Sequence, residues 1–261
     1  MSHSAKRLAL VTGATSGIGQ AFARRLAAQG YEVIAVGRRQ DRLDELATEF
    51  LAGQIRPVTA DLTRFEDVER LSEICRQEPL SLLINNAGVS HYMGFIDLPV
   101  EKASELLQVK IVAPTLLARN AAPGMVERKN GTIINVAGML GFGATAPLGK
   151  AAGRATYVAS LSHLISLSLA LSEELRPEGL RVQVLCPGVV ATEFHTRQGM
   201  DLSAIPRMSA DDVVSASLKS LAMDEVVCAP GVEDVTLIER ALNANLQAFG
   251  GQSPNLAGRY L

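Results

Sequence analysis

The chain contains no tryptophan, only 4% aromatic residues and three cysteines in 261 positions. Cys75, Cys186 and Cys228 are odd in number and far apart, so neither a disulfide framework nor a CxxC metal or redox site is expected. A reduced, cytoplasmic setting suits such a chain. No excess of one charge is present: 25 Lys and Arg stand against 27 Asp and Glu, a net −2. A nucleic-acid backbone binder needs a basic surplus, so nucleic acid is not an expected partner. The first apolar run, Leu8 to Val11, is too short for a signal-peptide core. The longest mostly apolar stretch, Val158 to Leu171, is broken by four serines and His163. It falls short of the ~20 residues of a membrane span, and no membrane partner is expected. The four histidines lack Cys or carboxylate partners at ligand spacing, so no metal site is expected either.

Material for a core is abundant, since 48% of the residues are hydrophobic. A chain of this length buries roughly three quarters of its unfolded surface, and α/β folds often pass 200 residues, so residues 1–261 are read as one domain. Short β-branched runs alternate with longer amphipathic ones. Strands are expected at Leu8 to Thr12, Glu32 to Val36, Arg56 to Ala60, Leu80 to Ile84, Thr132 to Val136, Leu180 to Cys186 and Val226 to Cys228. Helices are expected at Gly17 to Gln29, Asp41 to Leu51, Arg64 to Arg76, Val100 to Glu127, Ala155 to Leu175, Ala210 to Ala222 and Glu233 to Leu246. Pro114 should bend the long fourth helix. The implied architecture is α/β: a doubly wound, Rossmann-type three-layer fold with six or seven parallel strands. Residues 189–208 form a long connection of the kind that closes over substrate.

The first strand runs into Gly13, Ala14, Thr15, Ser16, Gly17, Ile18 and Gly19, and a helix opens inside that turn. Glycines there permit positive φ and close approach of the backbone to a pyrophosphate, which the helix start attracts. Taken alone the turn could be an ordinary tight βα connection; its place within a βαβ unit favours the nucleotide reading. After it come Asn85-Asn86-Ala87-Gly88, Tyr157-Val158-Ala159-Ser160, and Cys186-Pro187-Gly188 with Thr192. This ordered set resembles the short-chain dehydrogenase/reductase family over essentially the whole chain. The resemblance implies an NAD(H) or NADP(H) site. Gly13, Thr15, Ser16, Gly17, Ile18 and Gly19 would hold the pyrophosphate region, Asp61 and Leu62 the adenine, and Asn86, Ala87 and Gly88 the adenosine half. Pro187, Gly188 and Thr192 would lie by the nicotinamide. The second strand ends in Gly37-Arg38-Arg39 rather than an acidic residue, and guanidinium groups suit a 2′-phosphate, so NADP(H) is the expected cofactor. Two solvated arginines at a helix start are the bland alternative, made less comfortable by the helix dipole.

The family's catalytic groups are a Tyr, a Lys four residues later, a Ser and an Asn. Tyr157 matches the first; Leu161, the pair Ala137-Gly138, and Lys110 stand where the others belong. A phenol with a pKa near 10 is almost wholly protonated at neutral pH, so Tyr157 remains a proton donor but a rare base. Loss of one oxyanion donor costs on the order of 10²–10³ in rate. Lys110 could extend its ammonium into the place beside Leu161 and lower the Tyr157 pKa, or snorkel to solvent instead. The loop from Gly138 to Tyr157 carries Lys150 and Arg154, and its register against the family is open. His91, Tyr92 and Phe194 are candidate substrate contacts; His195 reads as a loop residue and His163 as packed or at a subunit contact. The resemblance also implies a homodimer or homotetramer. The leading expectation is an atypical NADPH-dependent oxidoreductase reducing a carbonyl or conjugated small molecule, with Tyr157 as proton donor. An NADP(H)-binding regulator or scaffold without redox activity, and a non-redox isomerase or cyclase, are the alternatives.

Overall fold

The computed structural model describes residues 7–147 and 153–261. Lys150 lies outside them. A first compact unit, Met1–Pro230, holds the sheet, and Gly231–Leu261 forms a second. The strands are β1 (Leu8–Thr12), β2 (Glu32–Gly37), β3 (Ile55–Thr59), β4 (Leu80–Asn85), β5 (Gly131–Val136), β6 (Leu180–Leu185) and β7 (Val227–Cys228). All pair parallel in the order β3-β2-β1-β4-β5-β6-β7, giving the expected doubly wound sheet. The strands read as nearly continuous apolar runs because both faces are covered. In β1, Ala9 and Val11 enter the core on one face, and Leu8 and Leu10 enter the core on the other.

Helices α1 (Gly17–Ala28), α2 (Gln40–Thr48) and α8 (Ala210–Ala222) supply Phe22, Leu26, Leu43, Leu46, Val213 and Val214 to the first face. Helices α3 (Phe65–Gln77) and α5 (Ala113–Glu127) supply Leu71 and Leu117 to the second. Helix α4 (Val100–Leu107) and helix α6 (Ala155–Leu175) meet around Leu106, Tyr157, Leu161 and Leu164, over Val184 and Cys186 of the sheet's far half. The second unit consists of α9 (Thr236–Gly250) and a short 3₁₀ turn, Gly258–Tyr260. The helix is shifted toward the C-terminus relative to the expected Glu233 to Leu246.

Two expectations are corrected. The single bent helix from Val100 to Glu127 is instead α4 and α5 joined by a π-helical turn, Gln108–Val112. Pro114 has no N–H to offer the preceding turn, and the Ala113 N–H reaches back five residues to the Gln108 carbonyl. Helix α6 has 21 residues and a mean hydropathy of 1.3 in its most apolar window, so it is long and apolar enough to span a bilayer. Of that window, 44% is buried, and the helix lies on β6 as a core helix does.

A buried polar chain ties the sheet to both flanking helices. Asn85 Nδ2 donates to Asn135 Oδ1 at 2.9 Å and to the Pro114 carbonyl at 3.2 Å. Asn135 Nδ2 donates to Ser168 Oγ at 2.9 Å, and that hydroxyl donates to the Leu164 carbonyl at 2.7 Å. A buried polar atom without a partner costs about 1–3 kcal/mol. Asn135→Ala is therefore expected to lower folding stability by about 2–3 kcal/mol, read as a reduced urea midpoint at unchanged slope; an unaltered midpoint would refute the role given to this chain of bonds.

Candidate active site

The crossovers turn in opposite directions from β1 and β4, so a crevice opens between their carboxyl ends, where doubly wound folds bind ligands. Thr12 sets its floor. Its hydroxyl accepts from the backbone N–H groups of Asn86 and Ala87, both at 3.0 Å, while Asn86 Nδ2 donates to the Thr12 carbonyl at 2.9 Å. Gly13 has φ +70°, and a Cβ there would lie 2.8 Å from Asn86 Nδ2. At Gly17, with φ +54°, a Cβ would lie 2.9 Å from the Thr192 methyl. Only glycine lets the turn close this tightly under Asn86 and Thr192. Gly188, with open space beyond it, leaves the crevice clear on the opposite wall.

The crevice widens into a cleft of about 1450 Å³. Every residue expected to bind cofactor or substrate lines it except Gly19, as do Tyr157 and Lys110. Gly19 is a correction: it is buried beneath the turn, where a side chain would strike the Gly13 carbonyl and the Asn86 amide. Its role is close packing of helix against turn. The cleft's volume, its glycine-lined turn and the start of α1 fit a dinucleotide with its anionic middle against the helix opening.

One end of the cleft is strongly cationic. Arg38 and Arg39 arrive from the end of β2, and Arg197 follows α7 (Glu193–Thr196). Arg39 Nη2 donates to the Thr15 carbonyl and hydroxyl, each at 3.0 Å, and meets Glu193 Oε1 at 2.7 Å. Arg197 meets the same oxygen at 2.7 Å. Burial raises the Glu193 carboxyl, but bonds from Ser16 and Arg39 and the charges of Arg197 and Arg39 outweigh it, so it titrates below the usual carboxylate range. Asp61 serves its own turn, accepting from the Thr63 N–H at 3.0 Å and hydroxyl at 2.9 Å.

The other end is apolar and aromatic. Tyr157, in the first turn of α6, packs against Tyr92 with ring centroids 5.6 Å apart and against Phe194 at 6.4 Å. His195 joins them, 6.2 Å from Tyr92 and 5.3 Å from Phe194. Burial, helped by neighbouring Tyr92, pushes the Tyr157 phenol well above its ordinary value. Leu161, buried, lies beside Gly138: a Cβ on that glycine would sit 3.4 Å from Leu161 Cδ1. Methyl groups thus occupy the neighbourhood in which the family resemblance leads one to look for an ammonium and a hydroxyl. His91 Nε2 lies 3.4 Å from Glu105 Oε2, which also accepts from Lys102 at 2.8 Å.

Lys110 projects from the π turn into the middle of the cleft. It is 4% exposed, and its Nζ donates to the Val136 carbonyl at 3.0 Å. A Cβ on Gly88 would lie 3.3 Å from that Nζ, so the missing side chain makes room for the ammonium. Burial pushes the Lys110 pKa down to about 8. The expected lowering of the Tyr157 pKa is not seen: the ammonium is held at the end of β5, and the phenol is shifted by burial and Tyr92.

Glu193, His195, Arg197, Lys102 and Glu105 were not anticipated as cleft residues. Glu193 and Arg197 carried a signal, an i, i+4 charge pair directly after Thr192. Thr192 caps that turn, accepting from the Phe194 N–H at 3.3 Å. Lys102 and Glu105 gave none, because the return of α4 over the cleft is a tertiary event.

A nucleotide-sized crevice at the switch point of a parallel sheet, with a phenol at its far end, defines a dinucleotide-type α/β fold. The family model for the short chain dehydrogenases matches residues 7–202, and the chain belongs to the short-chain dehydrogenase/reductase family of oxidoreductases. A very-long-chain 3-oxoacyl-CoA reductase from Pyrenophora tritici-repentis is 33% identical over 217 residues, 79% of this chain; the match spans 62% of that relative's length. A short-chain dehydrogenase from Sphingobium yanoikuyae in complex with NADPH superposes with a TM-score of 0.91 at 30% identity, over 97% of this chain and 100% of that one. A bulky-bulky ketone specific alcohol dehydrogenase from Comamonas testosteroni gives 0.87 at 27% identity, over 98% of each chain.

The buried lysine makes stability depend on pH. The unfolded chain holds the Lys110 proton up to about 10.5 and the folded chain only to about 8, so between these values the unfolded state binds more protons and stability rises with pH. Lys110→Met is expected to unfold at higher urea than wild type at neutral pH, with an advantage of up to about 3 kcal/mol that disappears toward pH 10.5. A difference independent of pH would contradict the buried ammonium.

Proposed function

We propose that the chain is an NADPH-dependent reductase acting on a carbonyl or conjugated double bond, with Tyr157 delivering the proton. The observation that carries this reading is the continuity of one cleft from Arg38 and Arg39 to Tyr157. NADPH supplies the hydride when bound. Arg38 and Arg39 would hold the 2′-phosphate through charge-assisted bonds, and the Gly13 to Ile18 turn would meet the pyrophosphate. Gly188, Pro187 and Thr192 would flank the nicotinamide, and Lys110 would anchor the adjoining ribose from the Gly88 side. The elevated Tyr157 pKa keeps the phenol protonated and disfavours oxidation, where a base is needed; it also weakens the phenol as an acid, so its proton passes to the strongly basic oxygen that hydride transfer creates.

Met139, Leu140, Tyr92, Phe194, Met200 and Ile205 make the substrate end broad and apolar. That suits a bulky ketone or enone better than a small polar one, in keeping with the substrates for which the Comamonas and Pyrenophora proteins are named. His91, beside Glu105, is one polar residue of the cleft at that end. The protein is read as a homodimer or homotetramer packed through α5 and α6, as the resemblance implies.

The burial of Leu161 beside Gly138 favours a second reading, an NADP(H)-binding protein without redox turnover. Absorbance of NADPH, followed with a panel of bulky ketones, quinones and enones, separates the two. Consumption reduced at least about a hundredfold in Tyr157→Phe is expected of the reductase. Binding with no consumption on any substrate would establish the second reading. Arg38→Ala and Arg39→Ala are each expected to weaken NADPH binding about tenfold or more while sparing NADH; equal losses for both would reject the phosphate assignment.

A further inference from the structure

We infer that Glu193 is an internal anion that holds the substrate lid on the cofactor's phosphate site and is displaced when the dinucleotide arrives. The inference rests on the NADP(H) reading above and adds a specificity-determining residue to it. Residues 189–208 leave the body of the protein and return to it at one place, since Val190 pairs with Met208 and the Ala191 N–H donates to the Met208 carbonyl at 2.9 Å. The excursion is therefore pinned at its base, and its first turn is α7. There Glu193 faces Arg39 of the β2 end and Ser16 at the start of α1, with Arg197 on its own helix. Arg38 and Arg42 add their charge to the same neighbourhood, acting on Arg197. Glu193 thus neutralises part of a cluster of arginines, of which Arg42 has Glu45 as a partner of its own at 3.4 Å.

Oxygen acceptors of the protein itself take up the Arg39 donor. Arg39 donates to Thr15 and to Glu193 from the same nitrogen, and Ser16, the residue preceding α1, has no cap bond within its helix. Arg39 is the group that the 2′-phosphate would take, while Ser16 lies at the helix opening beside the pyrophosphate. Two anions cannot share Arg39, because like charges a few ångströms apart repel strongly in a partly desolvated site. A phosphate that takes Arg39 therefore releases Glu193, which keeps Arg197 as its partner one helical turn away. Because Glu193 is next to Thr192, whose methyl a side chain at position 17 would strike, its release frees the first turn of the lid at the moment the cofactor is seated. Cofactor binding and the position of the substrate cover become one equilibrium, as linkage requires of two ligands that compete for one group.

Calorimetry with NADPH and NADH on wild type, Glu193→Gln and Glu193→Ala tests the inference. Glu193→Gln keeps the shape and removes the charge, so the NADPH dissociation constant is expected to fall roughly tenfold, and that of NADH, which lacks the 2′-phosphate, to change less. Glu193→Ala should move both constants in the same direction, and added salt should shrink the differences. Without nucleotide, trypsin should cut after Arg197 or Arg207 faster in Glu193→Gln than in wild type. Wild-type binding of NADPH with an equal or weaker constant in both variants overturns the inference alone. Wild type that binds no NADPH overturns the cofactor reading, and the inference with it.

Discussion

The Thr12 hydroxyl is the contact on which the site depends. Two backbone N–H groups of the β4 end converge on it, and Asn86 returns the bond to the Thr12 carbonyl. This stitch fixes the ends of β1 and β4 at the spacing from which their crossovers diverge. The Gly-rich turn then has one course available, over Asn86 and beneath Thr192, and it takes that course at positive φ. The helix opening, the arginines of the β2 end and the lid all take their positions from that turn. A side chain at position 13 or 19 would push the two strand ends apart and close the crevice from below.

The two ends of the cleft follow different physics. At the cationic end, guanidinium groups that are only partly buried are shared among a backbone carbonyl, a hydroxyl and one carboxylate. At the aromatic end, Tyr157 is packed by Tyr92 and Phe194, and burial governs its proton. Lys110 stands between them, an ammonium in a dry place with one carbonyl for a partner. It is destabilising by desolvation, and its presence is intelligible when a ligand's oxygens share the same cavity.

The strand and helix pattern was legible almost throughout. The continuous apolar run of β1 and the apolar faces of α1 and α3 are properties of local sequence, and the helices Ala155–Leu175 and Ala210–Ala222 fall where expected. The π turn was not legible, because Pro114 announces a disturbance without saying whether the helix kinks, breaks or slips by one residue. The serines that interrupt the apolar run of α6 do not break the helix, because Ser160 and Ser168 turn their hydroxyls onto backbone carbonyls of the preceding turn.

Glycines, arginines and the Tyr157 motif lie in sequence order, so the chain alone determined the sheet, the nucleotide turn and the residues facing it. Lys110 and Glu193 were decided by tertiary structure. A lysine's destination depends on whether Gly88 leaves room and Val136 offers a carbonyl, and a glutamate's partner depends on a loop coming back 154 residues later to an arginine just beyond the end of β2. Neither distance is encoded in local periodicity. Long side chains reach several ångströms, and only the folded backbone says which of the groups within that reach they meet.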